Sequence, residues 1–146
     1  MKRFTLPLAL LVFAAPPADA MADVRFRGKS GQDRLATLRI GDDGLFRRFG
    51  IRWRADCRRP GFAFTSSTKM LPPIDSSTPE RFVDADRYRA RYDNGLRAVF
   101  DARGAGERVS ARRWRGIFRV RVRVLRGAEL LDRCYLRTRW RVVRQG

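Results

Sequence analysis

Hydrophobic and polar residues alternate with period two along most of this chain. The clearest stretch is 117–124, where Phe118, Val120, Val122 and Val124 fall on one face and Arg119, Arg121 and Arg123 on the other. This is the pattern of an antiparallel strand with one buried and one wet face. The other strand signals sort around it. Val24 to Gly28 gives a short first strand and Arg34 to Ile40 a second. Phe46 to Cys57 gives a long one, with Phe49, Ile51, Trp53, Ala55 and Cys57 on one face. A short strand is expected over 61–65. Tyr88, Ala90 and Tyr92 alternate with Arg87, Arg89 and Arg91, and Leu96, Ala98, Phe100 and Ala102 with Arg97, Asp101 and Arg103. In the last strand, Cys134 to Val143, an apolar face of Cys134, Leu136, Trp140 and Val142 opposes Arg137, Arg139 and Arg141.

Turn signals punctuate the strands. Gly41-Asp42-Asp43-Gly44 is a tight turn, and Asn94-Gly95 is the strongest hairpin signal in the chain. Gly104-Ala105-Gly106 is expected to turn the chain into 107–113, Gly116 to mark a bulge, and Arg126–Glu129 to turn it once more. Ser66 to Glu80, rich in Ser, Thr and Pro, reads as a long surface loop. No amphipathic helix and no fixed-period repeat is found. Nine or ten short strands at such spacing predict an all-β fold, an antiparallel β-sandwich, with a partly open β-barrel as the alternative.

Length allows one domain. Residues 1–20 have the three regions of a secretory signal peptide: Lys2 and Arg3, the apolar run Phe4 to Ala15, and Ala18-Asp19-Ala20 as cleavage site. The expected product is therefore secreted or periplasmic, a single domain over 21–146. The chain has 33 Lys+Arg against 15 Asp+Glu, a net charge of +18. Only Lys2, Lys29 and Lys69 are lysine. GC-rich codon usage favours arginine in this way, and so does selection for a side chain that grips phosphate or carboxylate in a bidentate fork. Whatever its origin, such a charge attracts polyanions.

Cys57 and Cys134 each lie on the apolar face of a strand that also carries a tryptophan. In an exported chain two cysteines most simply pair, here as one inter-sheet disulfide closing a long loop. Redox chemistry is not indicated, because there is no C-x-x-C spacing. Trp114, at even spacing with Phe118, is expected to pack inward.

With no histidine, Ser-His-Asp and Cys-His systems are excluded, and no P-loop or G-x-G-x-x-G stretch occurs. Asp42 and Asp43 read as turn residues, and Asp84 and Asp86 as turn residues or arginine partners. No metal site, cofactor or catalytic residue is assigned. The candidate binding residues are Arg119, Arg121, Arg123, Arg137, Arg139 and Arg141. If their two strands pair as a hairpin, six guanidinium groups share one sheet face. Like charges directly opposite destabilise a sheet, so acidic neighbours, an offset register or a bound polyanion must relieve them.

The run Phe26-Arg27-Gly28-Lys29-Ser30-Gly31-Gln32, the Trp53…Cys57 strand end, Trp114-x-Gly116-x-Phe118 and Cys134…Trp140 together resemble a group of small secreted bacterial all-β domains of actinobacterial type. Tyr135 and Leu136 depart from that group, where a small or glycine-containing turn follows the cysteine. The resemblance implies an exported all-β domain with a cysteine pair, and it implies no activity. The functional expectation is a non-enzymatic protein binding an anionic envelope or extracellular polymer: an acidic polysaccharide, an anionic lipid surface or extracellular nucleic acid. The alternatives are a structural or stress-tolerance domain whose charge serves solubility alone, and an extracellular hydrolase using Asp84 or Asp86.

Overall fold

The computed structural model describes residues 22–146. The signal-peptide expectation for residues 1–20 lies outside the described residues. Eight strands follow one another: β1 (Val24–Ser30), β2 (Leu35–Ile40), β3 (Phe46–Cys57), β4 (Ala63–Met70), β5 (Arg81–Arg91), β6 (Leu96–Ser110), β7 (Arg113–Arg126) and β8 (Glu129–Arg144). All pair antiparallel in one sheet of order β4-β3-β2-β1-β8-β7-β6-β5. Two four-stranded meanders are thus joined where β1 pairs with β8. The sheet then curls on itself. Beyond the short β1–β2 hairpin, β3 pairs directly with β8 at Asp56–Tyr135 and Cys57–Cys134.

The curl brings the two halves of the sheet face to face, which is the layering expected of the all-β, antiparallel sequence. Phe49 of β3 packs against Phe82 of β5 at 5.5 Å between ring centroids, Phe118 of β7 at 6.4 Å and Trp140 of β8 at 4.9 Å. Trp53 reaches Phe100 and Phe118. Trp114 is buried as expected, against Phe26 and Phe46. Phe46 and Phe49 are three apart yet both face inward, because the register slips by one residue where Ile40 meets Phe46.

Cys57 and Cys134 form the expected disulfide. They sit directly opposite each other on β3 and β8, so the bond locks the seam where the two halves meet. Just beside it, Gln32 in the β1–β2 turn extends the pairing with its side chain. Its amide nitrogen donates to the Arg54 carbonyl at 2.8 Å, and its amide oxygen accepts from the Arg54 N–H at 3.0 Å.

The turns at Gly44, Gly95 and Gly127 occur where expected. Each glycine has φ near +58° to +77°, a region that side chains rarely tolerate. Three expectations are corrected. Gly104-Ala105-Gly106 is no turn; it lies inside β6, paired on both sides. Gly116 is no bulge; it stands in register between Gly106 and Trp140. These glycines are there for space. A Cβ on Gly106 would come within 2.5 Å of Phe82 and 2.7 Å of Trp140, and one on Gly116 within 2.5 Å of the same indole. Ser66–Met70 belongs to β4 rather than to the loop, which is confined to 71–80. The polar run is a strand because its inward residues find partners: Thr68 accepts a hydrogen bond from the Trp53 indole N–H at 2.9 Å, and Met70 is buried in the core. Merging these pieces reduces nine or ten strands to eight.

Candidate functional site

The hairpin expected of the arginine strands is present, since β7 pairs with β8 along their whole length. Parity puts Arg119, Arg121 and Arg123 of β7 and Arg137, Arg139 and Arg141 of β8 on the outer face of the sheet. All are exposed except the partly buried Arg123. Four of the six face another arginine across the ladder: Arg119 opposes Arg137, Arg123 opposes Arg133 and Arg141 opposes Arg115, whereas Arg121 faces Tyr135 and Arg139 faces Ile117.

Neighbouring strands complete the face. β6 contributes Glu107, Arg103 and Asp101 opposite Arg115, Arg119 and Arg121. β5 adds Arg81 opposite Glu107 and Arg87 opposite Asp101. Two rows across the sheet differ sharply. In one, Glu107 is bracketed by Arg115 at 2.7 Å and Arg81 at 3.7 Å. In the other, Arg103, Arg119 and Arg137 stand side by side. Among the described residues none of these three has a carboxylate within 4.0 Å, nor do Arg121, Arg123, Arg139 and Arg141. Asp101, the nearest acid by register, is held by Arg87 at 3.2 Å.

The face is furrowed. Four depressions of about 920, 880, 440 and 680 Å³ follow one another along β7, lined in turn by Arg113 and Arg115, by Arg115 and Ile117, by Arg119 and Arg121, and by Arg121 and Arg123. They are spread as separate hollows over the ten residues from Arg113 to Arg123, ~33 Å at ~3.3 Å each. Tyr135 borders both of the last two depressions and is 49% exposed. The disulfide forms part of the wall at that end.

Sequence reasoning found the six arginines but not Arg103 or Tyr135. Both were within reach of parity: Arg103 shares the wet side of its strand with Asp101, and Tyr135 shares that of Arg137 and Arg139. What was missing was the cross-strand register, which alone aligns Arg103 with Arg119 and Arg137.

Asp86 and Asp101 line the same depression as Arg103, Arg119 and Arg121, with neither within 4.0 Å of those three guanidinium groups. Asp43 accepts a hydrogen bond from the Leu45 N–H and pairs with Arg47, and Asp42 accepts from the Asp43 N–H, as turn residues do. Asp84 pairs opposite Gly104 on the inward side of β5. Burial raises its carboxyl above the ordinary value; the Ala85 N–H opposes this in part, and the charges of Asp86 and Asp75 add to the rise. Among the described residues no group of three or more side chains that could hold a metal ion occurs, and no helix is long and apolar enough to cross a membrane.

Fold and face together define an eight-stranded antiparallel all-β domain, closed by one disulfide, that exposes an arginine-lined furrow. Comparison with family models, with curated proteins and with solved structures finds no match, and the furrow must be read from its own chemistry.

Proposed function

We propose that this protein binds an anionic polymer along the outer groove of β7 and β8, and that it does so outside the cytoplasm without chemistry of its own. The observation that carries the reading is the Arg103–Arg119–Arg137 row, three adjacent cations with no carboxylate within 4.0 Å among the described residues. A sheet gains nothing from like charges at inter-strand distance, where direct opposition is destabilising. Elsewhere on the same face the chain does supply an acid, as at Glu107. A row left uncompensated beside a groove suits a ligand that brings the negative charge with it, and guanidinium forks suit phosphate, sulfate or carboxylate alike. Export is supported by the disulfide, which persists in oxidising compartments, and by the expected leader.

The test is a salt titration of polyanion binding by two variants of equal net charge. One carries Arg103→Gln, Arg119→Gln and Arg137→Gln; the other carries Arg52→Gln, Arg59→Gln and Arg144→Gln, exposed positions away from the row. Each phosphate contact removed should lower the slope of log affinity against log salt by about one. The row variant should therefore lose about three units of slope and release the polymer at physiological salt while the second variant holds it. If both variants weaken equally, the charge is generic and this reading is wrong.

A further inference from the structure

We propose, resting on that reading, that the polymer is a single-stranded nucleic acid, its backbone held by Arg103, Arg119 and Arg137 and a base stacked on Tyr135. The pivot is Tyr135. It is an aromatic side chain on the arginine face, half exposed, at the point where two depressions of the groove meet. Strand parity turns it outward next to the buried Cys134, and its hydroxyl has no hydrogen-bond partner among the described residues, which leaves the ring free to meet a ligand. Arg121 lies directly opposite it on β7 and Asp56 on β3, and Arg133 and Arg137 flank it on β8. A flat π-face with arginines on three sides is the kind of arrangement that non-specific single-strand binders use: a cationic track for the backbone and aromatic platforms for the bases.

Dimensions agree. Successive outward side chains on a strand are ~6.7 Å apart. An extended, unstacked strand spaces its phosphates at roughly twice the duplex rise of ~3.4 Å, so arginines at i and i+2 can meet consecutive phosphates. Across the face, β6 to β8 spans two inter-strand steps, about 10 Å. Asp101 on the β6 side is paired with Arg87, which leaves Arg103, Arg119 and Arg137 to the phosphates. An anionic lipid surface would leave the groove unfilled. An acidic glycan would satisfy the arginines but brings no π-face to the tyrosine.

The experiment measures binding of the disulfide-bonded protein, by fluorescence anisotropy at physiological salt, to three probes of matched charge. These are a thymidine oligonucleotide of about twelve nucleotides, the same strand without bases, and a heparin oligosaccharide. Tyr135→Ala should weaken the thymidine strand by about tenfold and leave the abasic strand and the heparin unmoved, while Tyr135→Phe retains wild-type affinity. If Tyr135→Ala moves no probe, or moves all three alike, or if heparin outcompetes the thymidine strand, the nucleic-acid assignment is overturned. In those cases the polyanion groove still stands, provided the Arg103, Arg119 and Arg137 triple variant weakens every probe. If that triple variant behaves as its equal-charge control, the groove reading itself falls.

Discussion

The curled sheet has to be held shut in two places, and it uses different chemistry in each. At the seam between β3 and β8 the closure is covalent: Cys57 and Cys134 meet in direct register and bond. At the gap between β4 and β5, the two ends of the strand order, there is no ladder. Instead a buried relay spans it. The Trp53 indole N–H donates to Thr68 Oγ1 at 2.9 Å, and Thr68 Oγ1 is hydrogen-bonded at 2.7 Å to the Tyr88 hydroxyl. Tyr88 in turn lies flat on Phe100, with ring centroids 4.6 Å apart. Both closures draw on β3, through Cys57 and Trp53. The seam borders the groove, where the disulfide and Tyr135 share a depression. The gap gathers the carboxylates of Asp84, Asp86 and Asp75, of which Asp86 also lines the depression at Arg119. A covalent tie stands beside the arginine face, and a breakable polar contact stands at the open end of the strand order.

Breaking the covalent closure should have the largest effect. The bridge joins residues 77 apart in sequence, and closing a loop of that size is worth about 4 kcal/mol in the chain-entropy view. Cys57→Ser with Cys134→Ser should lower the urea unfolding free energy by roughly that amount. The loss should be accompanied by weaker polyanion binding even where the protein remains folded, because the Asp56–Tyr135 pairing is no longer pinned. Unimpaired binding by the folded variant would sever the link between seam and groove.

Breaking the relay should cost less. Thr68→Val keeps the shape but leaves the Trp53 N–H buried without an acceptor, a loss of about 1–3 kcal/mol. Tyr88→Phe leaves that N–H satisfied and removes only the outer hydrogen bond, about 1 kcal/mol. Neither should alter polyanion affinity. If Tyr88→Phe destabilised as much as Thr68→Val, the order of the relay would be wrong. If either weakened binding, the two closures would not be the independent devices drawn here.

The two closures also differ in how far the sequence reveals them. Cys57 and Cys134 advertise themselves, being the chain's two cysteines and lying on apolar strand faces. The period-two stripe of β7 and the Asn94-Gly95 turn are equally plain, because each depends on residues near in sequence. The relay is not legible. Ser66, Ser67 and Thr68 look like loop, and only the indole of Trp53 from β3 and the hydroxyl of Tyr88 from β5 turn Thr68 into a strand residue. Gly106 and Gly116 mislead for the same reason: their composition suggests turns, but they are hollows cut for Trp140, which is distant in sequence. In the groove, parity assigns each arginine to a face, whereas the acids that neutralise some and spare others depend on cross-strand register. That register is set by the Ala111-Arg112 turn and by slips such as the one between Val124 and Leu125.

The smallest effect is a pH dependence confined to the gap. Desolvation is the main cause that lifts the Asp84 carboxyl above its unfolded value of 3.8, with the Ala85 N–H opposing and Asp86 and Asp75 assisting. The folded state therefore favours the protonated acid. Its relative stabilisation is full below pH 3.8 and is lost as pH rises through the raised folded value. Asp84→Asn, which keeps a neutral group at every pH, should raise the melting temperature at pH 7, and the gain should shrink to nothing as pH falls below 3.8. Because the carboxyl is largely solvated, the gain should be small beside that of either closure. The seam has no titrating group in its bond, and in the double serine variant the Asp84→Asn gain at pH 7 should persist unchanged. A gain that disappeared with the disulfide would mean that strain at the seam is transmitted across β3 to the gap, so that the two closures work as one.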